Sequence, residues 1–163
     1  MPIVLLRIDE RLIHGQVVVG WGATLHPDRI VVVDDEIAAS TWEQELYGLG
    51  LPDEIQAEFH TVEESRLLVQ QWHDDPRRTM VLTRTVEAMS RLAEGGVLQG
   101  REVNIGGLHH SSGRRQVLPY VFLSDAERAA LRQLAEAGVQ VSARDVPGAR
   151  RVDLTHLLGP TGG

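Results

Sequence analysis

Residues 29–33, Arg29-Ile30-Val31-Val32-Val33, set four β-branched apolar side chains in a row. Such an uninterrupted run predicts a strand buried on both faces, the kind found in a parallel sheet with helices on each side. Thr79–Thr83 is a second buried strand, and Ile3–Ile8, Ile55–His60, Glu102–Ile105 and Val139–Ala143 complete a series of short strands. Helical patterns separate them. Gln16–Leu25 is one, and Ile37–Gly48 is another with a break near Ser40. Thr61 and Glu64 form a capping box for a helix reaching about His73. Thr85–Glu94 ends at Gly95-Gly96, and Ser124 with Glu127 caps a helix that stops at Gly138. Gln116–Leu123 is extended, with Pro119 making it an edge or broken strand. Repeated strand–helix–strand units predict an α/β fold: a single domain over 1–163 with a mostly parallel sheet and helices on both faces. The Gly/Pro-rich tail 159–163 is expected to be disordered.

In such sheets ligands bind beyond the carboxyl ends of the strands, where strand order switches. The candidate loops are therefore Asp9–His14, Asp34-Asp35, Thr83-Arg84 and Gly106–Arg115, converging on one edge. Composition narrows what they can do. All sixteen basic residues are Arg, with no Lys and no Cys. That removes lysine Schiff bases and phosphate loops that need Lys, as well as thiol catalysis, disulfides and zinc–thiolate sites. A net charge of −7 argues against a nucleic-acid partner. The N-terminus lacks a secretory signal, and no apolar run approaches the ~20 residues of a membrane span. A cytoplasmic protein is expected.

The first loop is the most charged of the four: Arg7-Ile8-Asp9-Glu10-Arg11-Leu12-Ile13-His14-Gly15-Gln16. Imidazole suits acceptance and onward transfer of a phosphoryl group near neutral pH. His14 lies just before the predicted Gln16 helix, whose free N–H groups favour a bound dianion. Arg11 presents a planar fork that matches two phosphoryl oxygens, and Gly15 permits close backbone approach. Arg plus backbone amides can neutralise the transferred group without a metal or other cofactor. Asp9 either holds Arg11 or orients the imidazole. From these residues alone, a histidine that merely caps the turn is an equal alternative.

The stretch Leu6–Val17 resembles the phosphorylation-site motif of the mannose/sorbose-family enzyme IIB subunits of the bacterial phosphoenolpyruvate-dependent sugar phosphotransferase system. Arg29–Glu36 is similar to that family's second strand and acidic turn. Leu92–Val97, Val103–His109 and the Gly138-Val139 to Val146-Pro147 region are similar to its later segments, so the likeness runs over about residues 3 to 155. The resemblance implies a sheet of about seven strands, matching the count of strands above. It also implies a protein-N(π)-phosphohistidine–sugar phosphotransferase. His14 would take a phosphoryl group from a phosphohistidine IIA domain and pass it to a sugar held by a membrane IIC/IID permease. The chain would then associate peripherally with that permease. Arg11 would stabilise the phosphate, with Gly15 and Gln16 beside it and Asp9 orienting. A homodimer is compatible with this reading.

Other residues carry weaker expectations. Asp34 and Asp35 could bind Mg²⁺ in a receiver or hydrolase, but an acidic helix N-terminus is favoured over a metal site. Arg84 could add positive charge to the pocket, and His109 could flank it. His109-His110 lack the carboxylate spacing of a metal site, so no metal is expected. Trp21, Trp42 and Trp72 fall in helices, with core packing the expected role. A regulatory adaptor that reports phosphotransferase flux without moving sugar is the alternative function.

Overall fold

The computed structural model describes residues 2–158; the 159–163 tail lies outside them. Its main sheet has seven strands in the order β3-β2-β4-β1-β5-β8-β9. They are β1 (Ile3–Ile8), β2 (Arg29–Val33), β3 (Gln56–His60), β4 (Thr79–Thr83), β5 (Glu102–Ile105), β8 (Gln140–Ala143) and β9 (Val152–Asp153). All pair in parallel except β9, which runs antiparallel to β8. The expected single α/β domain with a mostly parallel sheet is what the chain forms.

The two apolar runs sit where their composition requires. Every residue of β2 and β4 is buried. Their side chains alternate between two cores. Ile30, Val32, Met80 and Leu82 enter one layer, while Val31, Val33 and Val81 enter the other. The first layer packs under the crossover after β1 and under α2 (Asp35–Ala38) and α3 (Thr41–Gly48). The second packs under α4 (Val62–Asp74), α5 (Val86–Leu92), α6 (Asp125–Glu136) and α7 (Leu154–Leu158). Both expected capping boxes form, Thr61 with Glu64 and Ser124 with Glu127. Ser40 breaks the second crossover by capping α3 through its hydroxyl. No helix among the described residues is long and apolar enough to cross a membrane.

One segment differs from expectation and another settles between two alternatives. Gln16–Leu25 is not a uniform α-helix: Gln16–Trp21 is a π-helical turn that runs into the short α1 (Gly22–Leu25). The Gly22 N–H reaches back to the Val17 carbonyl, five residues earlier, which is the bond that widens the turn. Such π turns recur at functional sites. Gln116–Leu123 takes the broken alternative: it is a hairpin, β6 (Arg115–Leu118) and β7 (Val121–Leu123), forming its own two-stranded sheet. Pro119, without an N–H, stands in its turn.

Candidate functional site

The chain leaves β1 over one face of the sheet and leaves its neighbours β4 and β5 over the other. The loop after β1 therefore opens at a switch in strand order, where a crevice forms at the carboxyl edge. Within that loop Leu12 adopts a left-handed conformation, φ 54°. This costs about 1–3 kcal/mol in a non-glycine residue, and burial of the Leu12 side chain offsets it. The reversal turns the chain so that His14 comes back over Asp9.

Asp9 is the hub. It is fully buried, and both of its oxygens are occupied. Oδ1 accepts from Arg11 N (3.0 Å) and Arg11 Nε (3.2 Å). Oδ2 accepts from Arg7 Nη2 (3.1 Å), Arg11 Nη2 (3.2 Å) and His14 Nε2 (3.2 Å). Burial pushes this carboxyl up, but hydrogen bonds from His14 and Arg11 and the charge of Arg7 outweigh it. They hold Asp9 well below the ordinary carboxylate range. The sequence left open whether Asp9 holds Arg11 or orients the imidazole; in the structure it contacts both.

An ionised Asp9 only accepts, so the His14 proton lies on Nε2. The other ring nitrogen, Nδ1, accepts weakly from the Gln16 backbone N–H at 3.3 Å. The ring is thereby set in one tautomer with its lone pair on Nδ1, next to the first amides of the π-helical turn. His14 is partly exposed, and Arg11 is about one-third exposed beside it. The Gln16 side chain is not turned toward a ligand: its Oε1 accepts from Arg11 Nη2 at 2.8 Å. Arg11 is thus braced on two sides, and none of these bonds uses Nη1. A Cβ at Gly15 would meet nothing within 4 Å, so no contact within the protein requires glycine there.

Arg7, the first residue of the first-loop stretch, has a structural role. It is completely buried, with its guanidinium spanning three strands' ends. It donates to Asn104 Oδ1 on β5, to the carbonyls of Arg144 (2.8 Å) and Asp145 (3.0 Å) after β8, and to Asp9. It also lies 5.3 Å from the Trp21 ring centre, within cation–π range. Burial pulls its pKa down, against the opposing charge of Asp9; an arginine remains charged regardless. The pattern was available in the sequence: residues i and i+2 share a strand face, so a buried Arg7 calls for an acid at Asp9. Gly106 and Gly107, following β5, make this packing possible. A Cβ at Gly106 would stand 2.5 Å from Asp9 Oδ2 and closer still to Arg7, and one at Gly107 would stand 3.1 Å from Arg11 Nη2.

Glu10 ties the polar loop after β5 to this site. It accepts from the His109 backbone N–H (3.1 Å), lies 3.1 Å from His109 Nδ1 and pairs with Arg114. Arg114 in turn grips Glu127 at the start of α6 through two bonds, 2.9 and 2.7 Å. His109 therefore flanks the His14 loop through Glu10 rather than touching His14.

The second and third loops do not join this cluster. Arg84 Nη2 is bound by Asp34 Oδ1 (3.1 Å) and Glu36 Oε2 (3.2 Å), so its charge is spent locally. Asp34 also caps α2 through Ile37 N (3.0 Å), and Asp35 accepts from Val62 N (2.9 Å) and Arg91 (3.2 Å). These acids serve helix termini and arginines, as the dipole argument expects. Strand order separates the acids, because β4 lies between β2 and β1; Arg84 follows β4, beside β1, but turns its side chain away to Asp34 and Glu36. Among the described residues, no three His, Asp or Glu side chains gather at metal-binding spacing.

Residues 3–162 match the sequence family described as PTS system sorbose subfamily IIB component. The N-acetylgalactosamine-specific phosphotransferase enzyme IIB component 1 of Escherichia coli (strain K12) is 34% identical over 153 residues, covering 90% of this chain and 92% of that protein. The mannose-specific EIIAB component of the same organism is 34% identical over 162 residues, covering 97% of this chain but 49% of that longer protein. Among solved structures, the N-acetylgalactosamine-specific IIB component 1 from Escherichia coli superposes with a TM-score of 0.85 at 33% identity, over 93% of this chain and 98% of that one. The IIBSor domain of the sorbose permease from Klebsiella pneumoniae gives 0.84 at 27% identity, over 96% of each.

Proposed function

The chain belongs to the sorbose subfamily of IIB components of the sugar phosphotransferase system, and on that premise we propose that His14 Nδ1 carries the phosphoryl group. A IIB component acts as a transferase in sugar phosphotransfer. The finer reading is that this chain accepts the group from a phosphohistidine on a IIA domain and gives it to a sugar held by a membrane IIC/IID permease, docking peripherally at the cytoplasmic side. The observation that carries this reading is the paired contact of the imidazole: Nε2 on Asp9 at 3.2 Å and Nδ1 on the Gln16 amide at 3.3 Å.

In the first half-reaction the Nδ1 lone pair attacks phosphorus. A P–N bond forms on His14 while the P–N bond of the donor histidine breaks and returns its electron pair to the donor ring. Asp9 keeps the Nε2 proton in place and offsets the positive charge that the ring gains. Arg11 and the Gln16 amide face the equatorial oxygens, where charge neutralisation lowers the barrier. In the second half-reaction a sugar hydroxyl oxygen attacks phosphorus and its proton leaves to water. The P–Nδ1 bond breaks and its electron pair goes back to His14, restoring the starting tautomer. Every step uses groups of this chain, the donor, the acceptor or water, and none calls on a cofactor.

Incubation with phosphoenolpyruvate, the general phosphotransferase proteins and the cognate IIA domain is expected to add one phosphoryl group. It should be acid-labile, stable in base, and located by peptide mapping at His14. An unchanged intact mass for the wild-type protein would overturn the carrier reading.

Arg11→Lys tests the clamp. Lysine keeps the charge but loses the fork that binds Asp9 and Gln16 together. Transfer from phospho-IIA is expected to slow by about tenfold to a hundredfold, with a smaller loss of thermal midpoint than Asp9→Asn because Arg7 still pairs with Asp9. Rapid-quench rates at saturating donor would show this, and a rate equal to wild type would remove Arg11 from the mechanism.

A further inference from the structure

The negative charge of this chain is concentrated in one place. Residues 30–59 hold eight acids and no basic residue, whereas the rest of the chain balances fifteen acids against sixteen arginines. Four of the eight, Asp34, Asp35, Glu36 and Glu58, are paired with arginines. The other four, Glu43, Glu45, Asp53 and Glu54, lie on α3 and the turn after it, and none makes an ion pair among the described residues.

The same segment carries an apolar ridge. Trp42, Leu46 and Leu49, at helical spacings of four and three, are 67%, 57% and 83% exposed. This corrects the expectation of a core role for Trp42; Trp21 and Trp72 are the buried ones. The helix has its inward contacts without them. Gln44 donates to the Ile37 and Ala38 carbonyls, and Tyr47 packs against Phe59. α3 buries no residue completely and turns a Trp/Leu face to solvent. Val19 and Leu67 are also exposed, on other elements, and single exposed apolar residues need no explanation. A helical row of three anchored by Trp does.

We propose that this ridge with its unpaired acidic rim docks a basic cytoplasmic segment of the membrane permease. The proposal rests on the carrier reading, which supplies a membrane partner. Cytoplasmic loops of membrane proteins carry an excess of Lys and Arg, the complement of Glu43, Glu45, Asp53 and Glu54. Aromatic and leucine side chains ringed by polar groups are the usual anchors of such contacts. The acidic rim disfavours two other occupants. An anionic leaflet would repel it, and a second copy docked face to face would set the same acids against themselves. α3 starts just after the loop that leaves the carboxyl edge on which His14 stands and runs toward Asp53 and Glu54 at the amino end of β3, so a partner seated on it spans from the phosphoryl-carrying edge down the flank of the domain.

Binding of the unphosphorylated protein to proteoliposomes containing the cognate IIC/IID complex in zwitterionic lipid tests this. Trp42→Ala with Leu46→Ala is expected to weaken binding by about tenfold or more. Glu45→Arg with Asp53→Arg, both at exposed positions, should weaken it and flatten its salt dependence. The initial rate of phosphorylation by phospho-IIA should stay within about twofold of wild type for both variants. Binding unaffected by either variant overturns the proposal. So does equal binding to protein-free vesicles containing anionic lipid, a matching loss of IIA-dependent phosphorylation, or a wild-type dimer that Trp42→Ala dissociates. The binding arm requires no phosphoryl group, so a protein that binds normally but never gains mass would sink the carrier reading and leave the docking result standing.

Discussion

An Asp9→Asn variant is expected to lose about 3–5 kcal/mol of stability and to pass phosphoryl groups at least about a hundredfold more slowly. Five donor contacts meet the two oxygens of Asp9, two at Oδ1 and three at Oδ2. Asparagine offers one acceptor and one donor, so each orientation fails. With its nitrogen at the Oδ2 position it faces Arg7 and Arg11 donor to donor, and it donates to His14 Nε2, which drives the ring proton to Nδ1 and removes the nucleophilic lone pair. With its nitrogen at the Oδ1 position it opposes the Arg11 amide and Nε. In either case the buried Arg7 loses its counter-charge, the situation in which removing one partner of an ion pair costs most.

The pH dependence has a definite sign. The Asp9 carboxyl is held well below its ordinary value of about 3.9. The stability it contributes is therefore fully present above that unfolded value and is lost as pH falls toward the folded one. The gap between wild type and Asp9→Asn should be constant from pH 7 to about 5 and should narrow by roughly 1 kcal/mol per pH unit below about 4. Urea midpoints across that range measure it, and a gap that does not change with pH would show that Asp9 is not the linked group.

What the sequence conveyed and what it withheld follow from the range of the interactions. The buried strands were legible because a β-branched run has one stable environment, covered on both faces, and β2 and β4 occupy it along their whole length. The helix starts were legible because Ser40, Thr61, Thr85 and Ser124 cap with their own nearest amides. His14, Arg11, Asp9 and Gln16 fall within eight positions of one another, so their contact is a property of one turn. The support beneath them was not legible. Arg7 reaches partners 97, 137 and 138 positions away, and only the β1-β5-β8 order brings these to it. The same order puts β4 between His14 and the acids at 34 and 35, and Arg84, although β4 adjoins β1, turns its side chain to Asp34 and Glu36. Position on an edge was readable, and adjacency along that edge was not. The π-helical turn was hidden for a different reason: its residues have ordinary helical character, and the extra width comes from the single bond that Gly22 N–H makes to the Val17 carbonyl five residues back.

Gly106→Ala is expected to destabilise the protein by about 3–5 kcal/mol, the range of a disrupted buried ion pair, where simple overpacking costs about 1–3 kcal/mol. The added methyl would fall inside contact distance of the Arg7 guanidinium and 2.5 Å from Asp9 Oδ2. A flexible side chain at the surface could step aside. Arg7 cannot: it is fully buried and tethered to Asn104 and to the carbonyls of Arg144 and Asp145. Any shift large enough to admit the methyl separates Arg7 from Asp9 or displaces the Asp9 carboxylate from His14. The variant should therefore lose transfer activity along with stability. Two comparisons isolate the cause. Gly15→Ala places its methyl in open space on a residue already in helical conformation, so its stability should equal or exceed wild type by up to about 1 kcal/mol. In a double-mutant cycle, Arg7→Ala with Gly106→Ala should cost less than the two single changes added together, because removing the guanidinium makes room for the methyl. Denaturant titrations of the four proteins give the coupling directly. A strictly additive cycle would mean that the glycine is required for some reason other than the buried pair it now adjoins.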